Sequence, residues 1–136
     1  MYSASVNFTI KMDLALIAHD GKKPNMVAFV MKHRDTLNKA KLYATGTTGK
    51  HIADAGFEVK CLLSGPLGGD AQIAAMLADG IIEAVIFFRD PLDKHPHEPD
   101  VAMLMRLCDV HNIPLATNPA TAELIIEGLM EPNEAE

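Results

Sequence analysis

The sequence is poor in cysteine and contains fewer basic than acidic residues. Its two cysteines, Cys61 and Cys108, are too few for a disulfide scaffold and do not have the grouping of a zinc site. Cys61 lies in an apolar run, and Cys108 lies on the apolar face of a predicted helix. We therefore expect two buried thiols and neither a secreted disulfide framework nor a structural metal.

Long apolar runs are also missing. No run approaches the ~18 residues of a membrane span, and no signal-peptide pattern opens the sequence, so we expect a cytoplasmic protein with no membrane partner. Twelve Lys and Arg against 18 Asp and Glu give a formal charge of −6, which argues against general nucleic-acid binding. A small phosphorylated ligand remains possible, because local loops rather than the net charge bind small anions.

The alternation of short and long segments predicts the fold class. The 136 residues suffice for a single domain, which we expect to span residues 1–136 with terminal extensions at 1–10 and 128–136. Strand–helix alternation predicts an open α/β sheet of about five parallel strands with helices on both faces. The predicted strands are Met12–Ala18, Lys41–Ala44, Phe57–Leu63, Ile81–Phe88 and Ile113–Ala116.

Apolar residues at helical spacing fill the segments between the strands. Gly80 is a natural stop for the helix over Ala71–Asp79, and Pro99 suits the first turn of a helix that includes Val101 and Cys108. The other predicted helices run from Pro24 to about Leu37, over Thr48–Ala55 and over Thr121–Glu127.

The polar residues gather in the loops that follow the five predicted strands. In an open α/β sheet, ligands bind at the edge where the parallel strands end. The pattern therefore predicts one site built from five loops. Its candidate residues are His19, Asp20, Lys23, Thr45, Thr47, Thr48, Ser64, Asp70, Asp90, His97 and Asp100.

Two of these loops are rich in glycine and could hold an anion at a helix N-terminus. The first is TGTTG (Thr45–Gly49), and the second is SGPLGGD (Ser64–Asp70). Neither is a Walker A loop or a GxGxxG dinucleotide fingerprint. The alternative for the first loop is a threonine that only caps its helix, and for the second an aspartate that only balances the helix dipole.

The remaining polar residues permit acid–base chemistry. A carboxylate at Asp70, beside a loop that holds phosphate, is placed as a general base for C–H abstraction would be. A neutral imidazole at His97 could polarise a carbonyl or carry a proton. Lys23 is either a solvated lysine or a contact for an anion. His95 and His97 have no further ligand cluster beside them, so we expect no metal.

These motifs, in this order and spacing, resemble the methylglyoxal synthase family over about residues 12–127. The resemblance implies a flavodoxin-like (Rossmann-like) fold, a homohexamer, and no metal or organic cofactor. It implies conversion of dihydroxyacetone phosphate to methylglyoxal and inorganic phosphate, with phosphate acting as an inhibitor or allosteric ligand. The matching segments are LALIAHD, LYATGTTG, SGPLGGD, FFRDPL, PHEPD and PLATN.

The resemblance also implies roles for individual residues. Asp70 is the catalytic base, His97 lies against the carbonyl and hydroxyl oxygens, Asp100 is a second essential carboxylate, and Asp20 supports the site. The family commonly has Gln directly after the loop aspartate, whereas this sequence has Ala71 and keeps Gln72. The implied substrate-binding residues are His19, Lys23, Thr45, Gly46, Thr47, Thr48, Ser64 and Gly65.

A second function fits the same fold. Related domains of carbamoyl-phosphate synthetase resemble this chain and bind effectors without performing chemistry. A pure sensor would need the phosphate loops but not the set Asp70, His97 and Asp100, so the sequence favours the enzyme.

Overall fold

A five-stranded parallel sheet forms the middle layer of the structure, a computed structural model that describes residues 12–92 and 101–130. The strand order β3-β2-β1-β4-β5 places β1 at the centre, where it pairs with β2 and β4. The sequence-based prediction of an open parallel sheet is therefore confirmed. The strands are β1 (Asp13–Ala18), β2 (Lys41–Thr45), β3 (Val59–Leu62), β4 (Ala84–Phe88) and β5 (Leu115–Ala116).

Successive side chains of β1 pack into two separate hydrophobic cores, one on each face of the sheet. Leu14 and Leu16 belong to the core on one face, whereas Ala15 and Ile17 belong to the core on the other, and all four are buried. This explains the missing alternation in LALIA, because a strand covered on both faces has apolar residues at every position.

Helices cover both faces of the sheet. α1, α3 and α6 pack on the face that holds Leu14, while α4 and α5 pack on the face that holds Ile17. None of the described helices is long and apolar enough to cross a membrane. The helices are α1 (Lys23–Lys32), α2 (Arg34–Leu37), α3 (Gly46–Asp54), α4 (Gly69–Ala78), α5 (Val101–Val110) and α6 (Pro119–Met130).

The end of α4 confirms the stop predicted at Gly80. Gly80 has a φ of +77° and donates its N–H to the Leu77 carbonyl, and Ile81 donates to the Met76 carbonyl. These two bonds form a Schellman motif, in which the left-handed residue is usually glycine.

Four predicted strands are longer than the observed ones, the first of them only by Met12. β4 begins at Ala84, after the turn at Gly80, so Ile82 is buried without belonging to the strand. Phe57 is also buried ahead of β3, and the Arg34 guanidinium carbon lies 4.4 Å from the centre of its ring. β5 keeps only two residues, which pair with Val85 and Ile86. Apolar runs reveal burial, whereas strand bounds depend on where a neighbouring strand offers hydrogen bonds.

The two cysteines differ in exposure. Cys108 is buried on α5, as predicted, and burial, aided by the charge of Asp109, raises the pKa of its thiol to about 11. The prediction of a buried Cys61 is wrong, because Cys61 is exposed on β3. Among the described strands, β3 lies at the edge of the sheet and pairs only with β2, so it is less covered than the central strands.

Candidate active site

The site begins where the strands end. Because all five strands are parallel, the loops that follow them leave the sheet at the same edge. His19 follows β1, Thr45 ends β2, Ser64 comes after β3, and Asp90 comes after β4. The sheet thus brings the predicted loops to one edge, as their placement in the sequence indicated.

The turn between β2 and α3 leaves backbone donors at the start of a helix. Thr45 has extended backbone angles and makes no side-chain capping bond, so the alternative of a capping threonine is not realised. The N–H groups of Thr47 and Thr48 are in the first turn, where a helix offers them no internal acceptor. Thr48 is 2% exposed and is therefore buried at the start of α3. This turn has the chemistry of an anion site.

The two glycine-rich loops touch each other. Gly46 donates its N–H to the Leu63 carbonyl at 3.3 Å, which ties the start of α3 to the end of β3. A methyl carbon at Gly46 would lie 3.2 Å from both Cα and Cβ of Ser64, and Gly46 has a φ of +51°. Glycine is therefore needed for this approach, which places Ser64 beside the first turn of α3.

The loop from Ser64 to Asp70 folds back tightly on β3. Gly69 donates its N–H to the Ser64 carbonyl at 2.8 Å, and a methyl carbon at Gly69 would lie 1.9 Å from the Leu63 oxygen. Gln72, the residue that the sequence retains after Ala71, accepts the Leu63 N–H through Oε1 at 2.8 Å. These contacts fix the start of α4 against the end of β3.

Asp70 is held in the first turn of α4. Its Oδ1 accepts the N–H of Ala71 at 2.9 Å, so the carboxylate lies at the positive end of the helix dipole. The residue is partly exposed. Asp70 is therefore placed to balance the helix dipole, which is the structural alternative for this residue. The same position also leaves its carboxylate near the Ser64 turn, as a general base would require.

Lys23 and Asp20 form an ion pair at the end of β1. The Lys23 ammonium bonds to Asp20 Oδ1, and the lysine side chain is 16% exposed whereas the aspartate side chain is 82% exposed. Because the Asp20 carboxylate is exposed, the pair contributes little to stability. Asp20 thus lies against Lys23, and its role in supporting the site stays a prediction.

His19 is fixed by the end of β4. The ring nitrogen Nδ1 accepts the Asp90 backbone N–H at 2.9 Å, and the backbone N–H of His19 donates to the Phe88 carbonyl at 3.1 Å. The imidazole packs edge-on against Phe87, with ring centres 5.2 Å apart, and the residue is 5% exposed. Sequence reasoning named Asp90 only as a polar residue of the edge, because a backbone bond between distant segments leaves no pattern in the sequence.

Two predicted residues, His97 and Asp100, lie outside the described residues. α5 begins directly after them at Val101. Among residues 12–92 and 101–130, no group of three His, Cys, Asp or Glu side chains is placed to hold a metal ion.

The loop after β5 contributes to a neighbouring cavity. This cavity has a volume of about 300 Å³, and its polar lining includes Lys22, Arg89, Thr117 and Asn118. Neither Lys22 nor Arg89 was singled out by the sequence pattern, since both stand beside residues with more evident roles.

Comparison with known proteins identifies the family. The family model of the MGS-like domain matches residues 25–117. A methylglyoxal synthase of Lysinibacillus sphaericus is 56% identical over 121 residues, which cover 88% of this chain and 90% of that protein. One from Caldicellulosiruptor saccharolyticus is 60% identical over 119 residues, or 87% of this chain and 84% of that protein.

A solved structure agrees with the sequence matches. The crystal structure of methylglyoxal synthase from Elizabethkingia anophelis superposes with a TM-score of 0.85 at 50% identity. The match covers 89% of this chain and 81% of that one. With its parallel sheet, its paired glycine-rich turns and these relatives, the chain belongs to the methylglyoxal synthase family.

Proposed function

We propose that this chain converts dihydroxyacetone phosphate into methylglyoxal and inorganic phosphate. Relatives that are named methylglyoxal synthase, at 54–60% identity over most of the chain, favour this enzyme over a regulatory domain of the same fold. The observation that carries the proposal is the contact between Gly46 and Ser64, which joins two helix-opening turns into one cradle.

The cradle supplies the phosphate contacts. The hydroxyls of Thr45, Thr47 and Thr48 and the N–H groups of Thr47 and Thr48 bind the phosphate from one turn, where Gly46 leaves room for a close approach. Ser64 and Gly65 bind it from the other turn. Lys23 adds a positive charge from the end of β1. Helix N-termini and an ammonium together suit a dianion, and they also stabilise it as it leaves.

Asp70 acts on the carbon skeleton. Its carboxylate removes a proton from the hydroxymethyl carbon next to the ketone, and the electron pair moves into an enediolate whose oxygen becomes negative. His97 and His19 stabilise that oxygen by hydrogen bonding, and Asp100 assists as a second carboxylate. The C–O bond to phosphate then breaks, inorganic phosphate departs, and the remaining enol tautomerises to methylglyoxal.

The assembly and its regulation are part of the proposal. We expect a cytoplasmic homohexamer, and we expect inorganic phosphate to bind the same cradle as product and inhibitor. An exposed edge strand, β3, and the exposed side chains of Leu63 and Leu67 offer surface for association between chains.

The test is direct. Purified protein incubated with dihydroxyacetone phosphate should release methylglyoxal and phosphate in equal amounts, without added metal and in the presence of EDTA. A sensor domain would bind phosphate but release neither product. Failure to form methylglyoxal at saturating substrate would reject the enzyme and favour the regulatory alternative.

A further inference from the structure

The contacts of His19 determine where its ring carries a proton. A backbone N–H can only donate a hydrogen bond, so the ring nitrogen that faces the Asp90 N–H must accept. That nitrogen is Nδ1, at 2.9 Å. A neutral imidazole has one acceptor and one donor nitrogen, and therefore the proton of His19 lies on Nε2.

The surroundings also disfavour the doubly protonated ring. In an imidazolium both nitrogens are donors, so an Nδ1–H would face the Asp90 N–H and the hydrogen bond would be lost. His19 is 5% exposed, and its ring packs edge-on against the ring of Phe87. The backbone N–H of His19 donates to the Phe88 carbonyl, which ties the residue to the end of β4, next to Asp90.

We propose that the Asp90 amide is a positioning group that fixes His19 as a neutral Nε2–H donor. His19 then donates a hydrogen bond to an oxygen of the substrate's carbon skeleton, and it is neither a base nor a cation for the phosphate. This assignment of roles rests on the proposed function, whereas the position of the proton does not.

A neutral donor suits the proposed reaction. A neutral imidazole can polarise a carbonyl without giving up its proton permanently, because its N–H is a very weak acid. The positive charge of the site then stays with Lys23, beside the leaving phosphate. A neutral His19 at the enediolate oxygen and a charged Lys23 at the phosphate favour departure of phosphate over protonation of the enediolate oxygen.

Nitrogen NMR of the free protein tests the proton position. In a sample with ¹⁵N-labelled histidine at neutral pH, His19 should show one protonated nitrogen, Nε2, and one unprotonated nitrogen, Nδ1. Loss of its signals in His19→Gln assigns them, and the solvent-exposed ring of His111 is the internal reference. Protonation at Nδ1, or at both nitrogens, would overturn the proposal.

A pair of variants at Asp90 tests the origin of the effect. Asp90→Asn keeps the backbone N–H and should leave the Nε2–H form of His19 unchanged. Asp90→Pro lacks the N–H and should let His19 sample the other tautomer, with circular dichroism to verify the fold. If both variants retained the same tautomer, the Asp90 amide would not be the positioning group.

A pair of variants at His19 tests the donor role and does not require a change at Asp90. A glutamine amide nitrogen reaches the ε position of histidine, whereas an asparagine amide reaches only the δ position. His19→Asn should therefore lose roughly a hundredfold in kcat, as for loss of one oxyanion donor, and His19→Gln should be about tenfold more active than His19→Asn. KM should change little in both.

Equal or greater turnover in the asparagine variant would reject the donor role. If the wild-type protein formed no methylglyoxal, the proposed function would be wrong, and the NMR measurement would still decide where the proton lies.

Discussion

Among single residues, Asp70 depends most on its neighbours for a chemical role. Alone, an aspartate in the first turn of α4 balances the helix dipole, and its bond to the Ala71 N–H fits that role. The tight turn at Gly69 and the contact between Gly46 and Ser64 bring the proposed anion cradle next to it. A carboxylate beside a held phosphate ester is in position to act on a C–H bond of the same molecule.

Replacing Asp70 with asparagine should therefore remove the base without removing the cradle. We expect Asp70→Asn to lower kcat at least about a hundredfold, since a positioned general base contributes about that much or more. Phosphate binding, measured by calorimetry, should persist. The control is Asp79→Asn at the exposed end of the same helix, which should keep wild-type turnover. Near-native turnover in Asp70→Asn would remove it from the mechanism.

At the scale of secondary-structure elements, close backbone contacts between β3 and α4 shape the site. A methyl carbon at Gly69 would lie 1.9 Å from the Leu63 oxygen, which no side-chain rotation can relieve. Gln72 adds a second link between the same elements. The position of Asp70 is thus set by where α4 can begin.

A glycine-to-alanine pair tests this constraint. Gly69→Ala should destabilise the protein by about 3 kcal/mol, as expected when a well-packed region must shift. Gly128→Ala in α6, where a methyl group meets nothing within 4 Å, should stabilise it by about 0.5–1 kcal/mol. Urea unfolding of the two variants measures both effects. A Gly69→Ala protein as stable as wild type would show that α4 can start elsewhere.

A second contact between elements links the start of β1 to the neighbouring strand β2. The Tyr43 hydroxyl donates to Asp13 Oδ2 at 2.8 Å. Burial, followed by the hydrogen bond and the charge of Asp13, raises the pKa of Tyr43 to about 12 from an ordinary value of about 10. The folded protein therefore holds the phenol proton more tightly than the unfolded chain does.

This difference predicts a loss of stability in alkaline solution. The contribution of Tyr43 should be complete below about pH 10 and should disappear as the pH rises toward about 12, because the unfolded chain loses its proton first. Free energies of unfolding across this range should fall more steeply for wild type than for Tyr43→Phe, which has no phenol to titrate. Parallel curves for the two proteins would contradict the prediction.

At the scale of the whole molecule, β3 lies at the edge of the sheet that the described strands form. Among residues 12–92 and 101–130 it pairs only with β2, and Lys60 and Cys61 on it are exposed. Unpaired edge strands are usually covered in some way, since they otherwise pair with other chains. We therefore expect another copy of the chain to contact this surface.

For the proposed homohexamer, light scattering of the purified protein should give the mass of six chains. The mass should not change with protein concentration across the range used for activity, because obligate assemblies bury large interfaces. A particle of one chain, with full activity, would reject the hexamer while leaving the proposed reaction intact.

The sequence alone was sufficient for the class of fold and for the edge of the sheet at which the polar loops lie. Apolar runs such as LALIA reflect burial on both faces, and Gly80 marks a helix end by local geometry. Both signals are local, since they depend on the chain's own periodicity and backbone preferences. The polar loops were identified in the same way, because parallel strands must end at one edge.

Only the tertiary structure decided which residues meet. The exposure of Cys61 depends on its strand being at the edge, and the contact of Gly46 with Ser64 joins loops from different strands. The ring of His19 accepts a hydrogen bond from an amide 71 residues away in the sequence. Contacts of this kind depend on strand order and packing, and the local spacing of residue types predicts neither of them.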